Sequence, residues 1–315
     1  MRTRKNGPRM IWRLGIAALS VVATLSTAGA RAFAAGAQQE TFSAPEKAVN
    51  ALIAANRSGS TAALLKILGS ESEKLISSGD PIADKTARNR FVAAYDVSHG
   101  LESRGADQVV LIVGKEHWPL PIPLVRTGNV WRFDTKAGER EILDRRIGRN
   151  ELKVIEVCRT YVEAQREYAI EDRLGSGHLE YAQHLMSTSD KHDGLYWPTS
   201  AAEEQSPLGP LIAKARAAGY FAKDNESRPF YGYYYKILTR QGPNAPGGAK
   251  DYVVDGHMTG GLAMLAFPAR YGDSGIMTFI VNQNGIVYQK DLGPATASIA
   301  SNMTRFDPDA TWKIP

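Results

Sequence analysis

A single cysteine, Cys158, in a chain of 315 residues is the strongest constraint on how this protein can fold. One thiol closes no internal disulfide and builds no thiolate zinc cluster, so packed hydrocarbon must hold the chain together. Cys158 lies in Glu151–Arg173, where Val154, Val157, Cys158, Tyr161, Gln165 and Tyr168 recur at three- and four-residue steps. Such spacing is the inward stripe of a helix, and a buried free cysteine packs as a small hydrophobe. The pattern predicts a packing role for Cys158 and no nucleophilic one.

The N-terminus has the anatomy of a secretory leader. Arg2, Arg4, Lys5, Arg9 and Arg13 precede an apolar run from Leu14 to Leu25, and small residues then end in Ala32-Phe33-Ala34. A basic start, a short apolar core and an A-x-A site predict a signal peptide over 1–34, cleaved between Ala34 and Ala35. The run is shorter than the roughly 20 residues a bilayer core requires, so no stable membrane anchor is expected after cleavage. No paired arginines precede the core and no cysteine lies near the cut, which points to the general secretory route and to the periplasm or the medium. About 280 residues then remain, enough for two ordinary cores without covalent staples. Cleavage also changes the charge. The chain has 38 basic and 33 acidic residues, and six of the basic ones with no acid lie in the leader, leaving 32 against 33, a net of −1. A body without a basic excess lacks the usual footprint for nucleic acid.

Periodicity and punctuation predict an α+β fold with an N-terminal unit at 41–148 and a C-terminal one at 149–315. Ser43 with Glu46 reads as a capping box, Ser60 as a second cap and Asp80-Pro81 as a third helix start, with Gly100 as its stop. Strand-like runs follow at Val109–Val113, Leu120–Val125 and Val130–Phe133; the prolines in the second suit an edge. Asn150 is the expected cap of the long central helix, which should end by Gly175. From Tyr231 onward the pattern is a β meander: Tyr231–Leu238, Leu262–Phe267, Ile276–Val281 and Ile286–Lys290, the last two joined through Asn284-Gly285. A final helix covers Ala295–Met303.

Several phrases resemble known families. Arg145-Arg146-Ile147-Gly148-Arg149-Asn150-Glu151, Ala164-Gln165-Arg166-Glu167-Tyr168, Gly194-Leu195-Tyr196-Trp197-Pro198, Pro229-Phe230-Tyr231-Gly232-Tyr233-Tyr234-Tyr235 and Thr278-Phe279-Ile280-Val281-Asn282 together resemble an uncharacterised bacterial exported family, domain of unknown function 2950. That resemblance implies an exported protein without an assigned reaction. The helices and the Trp131-Arg132-Phe133-Asp134 strand of the first unit resemble the nuclear-transport-factor-two-like domains, which implies helices on a small curved antiparallel sheet. Residues 260–292 are similar to the C-terminal sheet of pilin-like and pseudopilin-like proteins.

Candidate chemistry is sparse. His178, His184 and His192 lie close in sequence to Asp190 and Asp193 and could ligate a divalent ion, but their spacing matches no known ligand motif and the segment is polar and loop-like. Ser274-Gly275 is no nucleophile elbow. Aromatic residues are the densest feature: Tyr196, Trp197 and the run Phe230–Tyr235. Strand alternation puts Tyr231, Tyr233 and Tyr235 on one side and Tyr234 on the other. The side with Tyr233 is expected to be core, and Tyr196, Trp197, Tyr231 and Tyr234 are the candidate binding residues for an envelope protein or glycan. The expectation is a binding or structural module of the envelope with no cofactor; the alternative is a periplasmic hydrolase or metal-dependent enzyme built on His178, His184 and His192.

Overall fold

The computed structural model describes residues 38–189, 191–200, 204–220 and 228–315, so the expected leader, its cut at Ala34–Ala35 and Asp190 lie outside the described residues. Capping chemistry starts the first helices. α1 (Pro45–Ser58) begins on Pro45 with Ala44 at its cap. The Ser43 capping box does not form, and Ser43 Oγ instead accepts from Lys47 Nζ at 2.9 Å. Proline at the first helical position sacrifices no bond, because that N–H is unpaired in any helix. Ser60 caps α2 (Thr61–Leu68), accepting from Ala63 N–H at 3.2 Å. A 3-10 turn leads into α3 (Glu73–Ile76), and Asp80 caps α4 (Pro81–Val97).

α4 stops before Gly100 because residues 99–103 form a strand that the sequence reading missed. β1 (His99–Ser103) pairs antiparallel with β2 (Gln108–Val113) but is exposed along most of its length, so it carries no apolar alternation. β2 does alternate, with Val109, Leu111 and Val113 inward. The expected strand Leu120–Val125 is split into β3 (Trp118–Pro119) and β4 (Leu124–Thr127), since Pro121 and Pro123 have no N–H for a ladder. β4 forms a hairpin with β5 (Val130–Phe133). The sheet runs β1-β2-β4-β5 with β3 beside β2, and α1 and α2 cover it through Leu52, Ile53, Leu64, Leu111, Leu124 and Phe133.

α5 is one helix of 34 residues, Thr135–Tyr168. Asn150 therefore caps nothing, and the expected helix start there is overturned. Its side chain donates to Ser274 O at 2.8 Å, and Glu151 Oε1 accepts from Ile276 N–H and Met277 N–H at 3.0 and 2.9 Å. These bonds tie the middle of α5 to the C-terminal strands and offset the roughly 1 kcal/mol that Gly148 costs inside a helix. Near its start, a Cβ on Gly138 would lie 2.4 Å from Pro121 O, so only glycine lets α5 approach the proline run this closely.

The C-terminal half begins with a short parallel pair, β6 (His184–Met186) and β7 (Gly194–Tyr196), followed by α6 (Gly209–Ala217). Then come β8 (Tyr233–Leu238), β9 (Arg240–Gln241), β10 (Lys250–Asp251), β11 (Ala263–Pro268), β12 (Met277–Asn282), β13 (Val287–Asp291), α7 (Thr296–Asn302) and β14 (Arg305–Phe306). The main sheet, β13-β12-β11-β8, is antiparallel throughout. Gly285 turns the β12–β13 hairpin at φ 75°, where its N–H reaches Asn282 O at 2.8 Å. α5 packs on this sheet through Val154, Cys158, Tyr161 and Tyr168. Burial pushes the Cys158 thiol up to about 12, so it stays protonated and inert. The class is α+β, with a long central helix and a C-terminal antiparallel meander.

Candidate functional site

The aromatic residues are buried to different degrees: Tyr196, Trp197, Phe230 and Tyr233 are buried, and Tyr231, Tyr234 and Tyr235 are half-buried. Tyr196 and Trp197 are buried, with His192 stacked on Trp197 at 4.3 Å between centroids and the Arg173 guanidinium 5.4 Å from the Trp197 ring. Tyr231 is not on a strand. It has φ 53° in a tight turn closed by Phe230 N–H to Tyr233 O at 2.8 Å and Tyr233 N–H to Phe230 O at 3.2 Å. The expected common side for Tyr231, Tyr233 and Tyr235 is therefore corrected: only the last two share strand β8. Tyr233 is fully buried and its hydroxyl donates to Met277 O at 3.0 Å. Tyr234 is half-buried against Phe267, 5.6 Å between centroids.

The structure disperses the three histidines singled out as possible ligands. His178 lies against His257, at 4.5 Å, while His192 is on Trp197. His184 is exposed on β6, near Asp193. Among the described residues no group of three or more His, Cys, Asp or Glu side chains is placed to hold a metal. The best-organised carboxylate–imidazole pair was not foreseen. Buried Glu180 accepts from Ser176 Oγ at 3.0 Å and Met258 N–H at 3.3 Å, and its Oε1 lies 2.9 Å from His257 Nδ1.

A cavity of about 220 Å³ opens instead in the N-terminal half, between α1, α2, α3, α4, the proline run and the first half of α5. Helical spacing builds each wall. Leu52 and Asn56 come from α1, Leu64 and Leu68 from α2, and Leu75 and Ile76 from α3. Asp84, Ala87, Arg88 and Phe91 line one face of α4 at steps of three and four, and Ile142, Arg146 and Arg149 do the same on α5. Leu52, Leu64, Ile76 and Ile122 are buried and form the floor, whereas Ala87 and Arg149 are exposed and mark the mouth.

The polar residues of this chamber are unevenly satisfied. Buried Asp84 uses both oxygens locally: Oδ1 accepts from Ser78 Oγ at 2.8 Å and Oδ2 from Ser78 N–H at 3.0 Å. Arg146 donates to Lys74 O at 2.7 Å, to Leu75 O and to Asp273 O at 3.4 Å. Burial lowers its proton affinity and the nearby Asp84 carboxylate opposes that shift. Arg149 is lowered too, first by partial burial and then by the like charges of Arg90 and Arg145. Among the described residues neither Arg88 nor Arg149 forms an ion pair or a side-chain hydrogen bond. Sequence reasoning missed the chamber. The signal was present in the stripe of Phe91, which also carries Asp84 and Arg88, charged residues in an inward register.

Among the described residues no helix is long and apolar enough to cross a membrane. Comparison with curated proteins finds no match. No solved structure matches either, so the likenesses to pilin-like sheets and nuclear-transport-factor-two-like domains gain no support. A family profile described as protein of unknown function (DUF2950) does match, over residues 39–314. With nearly the whole described body inside that match, the chain belongs to the DUF2950 family.

Proposed function

We propose that this protein is an exported, non-catalytic binding module of the cell envelope, and that the apolar part of an envelope component enters the N-terminal chamber. The observation that carries the reading is the chamber itself: a concave, mostly hydrocarbon site with a few convergent polar groups is the usual form of a small-ligand pocket. Its polar lining is Asn56, Asp84, Arg88, Arg146 and Arg149, a set without Ser, Thr, Cys, Lys or His, and both oxygens of its one carboxylate accept from Ser78. That inventory supports a reading of binding without chemistry. Export rests on the basic, apolar and small-residue succession of 1–34, and the family match begins just beyond the expected cut.

A neutral fluorescent probe, N-phenyl-1-naphthylamine, tests the chamber in the full mature chain. Saturable enhancement is expected, and it should be abolished by Ala87→Trp, which places an indole at an exposed helical position of the mouth and leaves the core untouched. Enhancement that Ala87→Trp leaves intact, in a variant with unchanged melting, refutes the assignment of the site.

A further inference from the structure

The charge balance of the chamber narrows what it can hold. Three arginines, Arg88, Arg146 and Arg149, and one carboxylate residue, Asp84, line it. Asp84 already accepts one bond on each oxygen from Ser78, and Arg146 directs three of its five N–H groups to backbone carbonyls. Among the described residues Arg88 and Arg149 have all five N–H groups of their planar forks unspent and are the better supplied donors. We infer that the chamber selects an anionic amphiphile, an aliphatic chain ending in a carboxylate or phosphate group, with its hydrocarbon on Leu52, Leu64, Leu68 and Ile122 and its oxyanion on Arg88 and Arg149.

Other ligand classes fit this lining less well. A neutral apolar guest would use the floor but leave the arginine donors of the rim without an acceptor, forgoing the charge-assisted bonds. A cation would meet like charge. An inorganic anion would satisfy the arginines and leave the apolar floor in contact with water. Oxyanions, in contrast, accept the guanidinium fork in two parallel bonds, a pairing stronger than neutral hydrogen bonds and specific in geometry. The two features of the site, floor and rim, are used together only by a molecule that has both a chain and an oxyanion.

This inference rests on the chamber being the binding site, and calorimetry of the full mature chain separates the two claims. The ligands are decanoate, decyl phosphate, decanol and inorganic phosphate, all below micelle formation. Decanoate or decyl phosphate should bind about 10- to 100-fold tighter than decanol, the range that charge-assisted hydrogen bonds supply. Added salt should erode that advantage and leave decanol unchanged. The double variant Arg88→Gln/Arg149→Gln should bring both anions down to the decanol level, with decanol affinity and melting temperature held. Whichever of decanoate and decyl phosphate binds more tightly identifies the head group. Equal affinity for decanol and the anions overturns the charge selection while leaving the chamber standing. Inorganic phosphate binding as tightly as decyl phosphate overturns the amphiphile. No binding by any of the ten-carbon ligands overturns both the selection and the chamber.

Discussion

Replacing Asp80 by alanine or asparagine tests the joint between the N-terminal helices and the C-terminal strands. Asp80 is fully buried and every bond to its carboxylate comes from a donor. Oδ1 takes Ile82 N–H at 3.1 Å and Ala83 N–H at 2.9 Å, which is the cap of α4. Oδ2 takes Tyr220 Oη–H at 2.7 Å and Gly232 N–H at 2.9 Å, from segments more than a hundred residues later. Alanine removes the cap, worth about 1 kcal/mol. It also leaves the buried Gly232 N–H without its acceptor, at about 1–3 kcal/mol, with a similar or smaller loss at Tyr220. A total of about 3–5 kcal/mol is expected. Asparagine can keep Oδ1 as the cap but turns a donor toward Gly232 N–H, so the cost should be confined to the Oδ2 side, about 1–3 kcal/mol. Urea denaturation, read as a shift in midpoint at constant m-value, measures both. An asparagine variant as stable as the parent, or an alanine variant losing no more than the cap, refutes the view that Asp80 joins the two halves. Burial raises the Asp80 carboxyl above its ordinary value, helped by the Asp84 carboxylate and against the pull of the Ala83, Tyr220 and Gly232 donors. Ionisation is thus harder in the folded chain than in the unfolded one, so this group's contribution is fullest below the unfolded value. It declines as pH rises through the raised folded value. The gap between parent and Asp80→Asn should therefore narrow with rising pH across that window.

Two further expectations are simple to check. Tyr233→Ala removes a fully buried ring and should cost about 3–5 kcal/mol in thermal melting, whereas Tyr234→Ala, half-buried against Phe267, should cost less; the reverse order would mean that β8 faces the other way. Intact mass of the exported protein should correspond to a chain starting at Ala35, and a species retaining Arg13 or the Leu14–Leu25 run would restore an uncleaved anchor.

What the sequence by itself determined is local, and the residues concerned show why. Ser60 and Asp80-Pro81 start helices through bonds within three residues, and Asn284-Gly285 turns a hairpin because Gly285 tolerates φ 75°. The inward stripe through Cys158 and the family membership were equally legible, since both depend on runs of adjacent residues. Tertiary structure alone decided the rest. Asn150 looked like a cap, yet α5 continues through it because Ser274 O, far along the chain, accepts its side chain. Tyr231 left the strand because its turn closes on Phe230, which sequence alternation cannot register. β1 exists through pairing with β2 and not through any pattern of its own. The chamber assembles residues from six separate segments between Leu52 and Arg149. An arginine on a helix has the same local sequence whether its guanidinium meets water or the rim of a cavity. Only the packing of the other walls makes that distinction, because solvation and partnering belong to the surroundings of a charge and not to the residue that bears it.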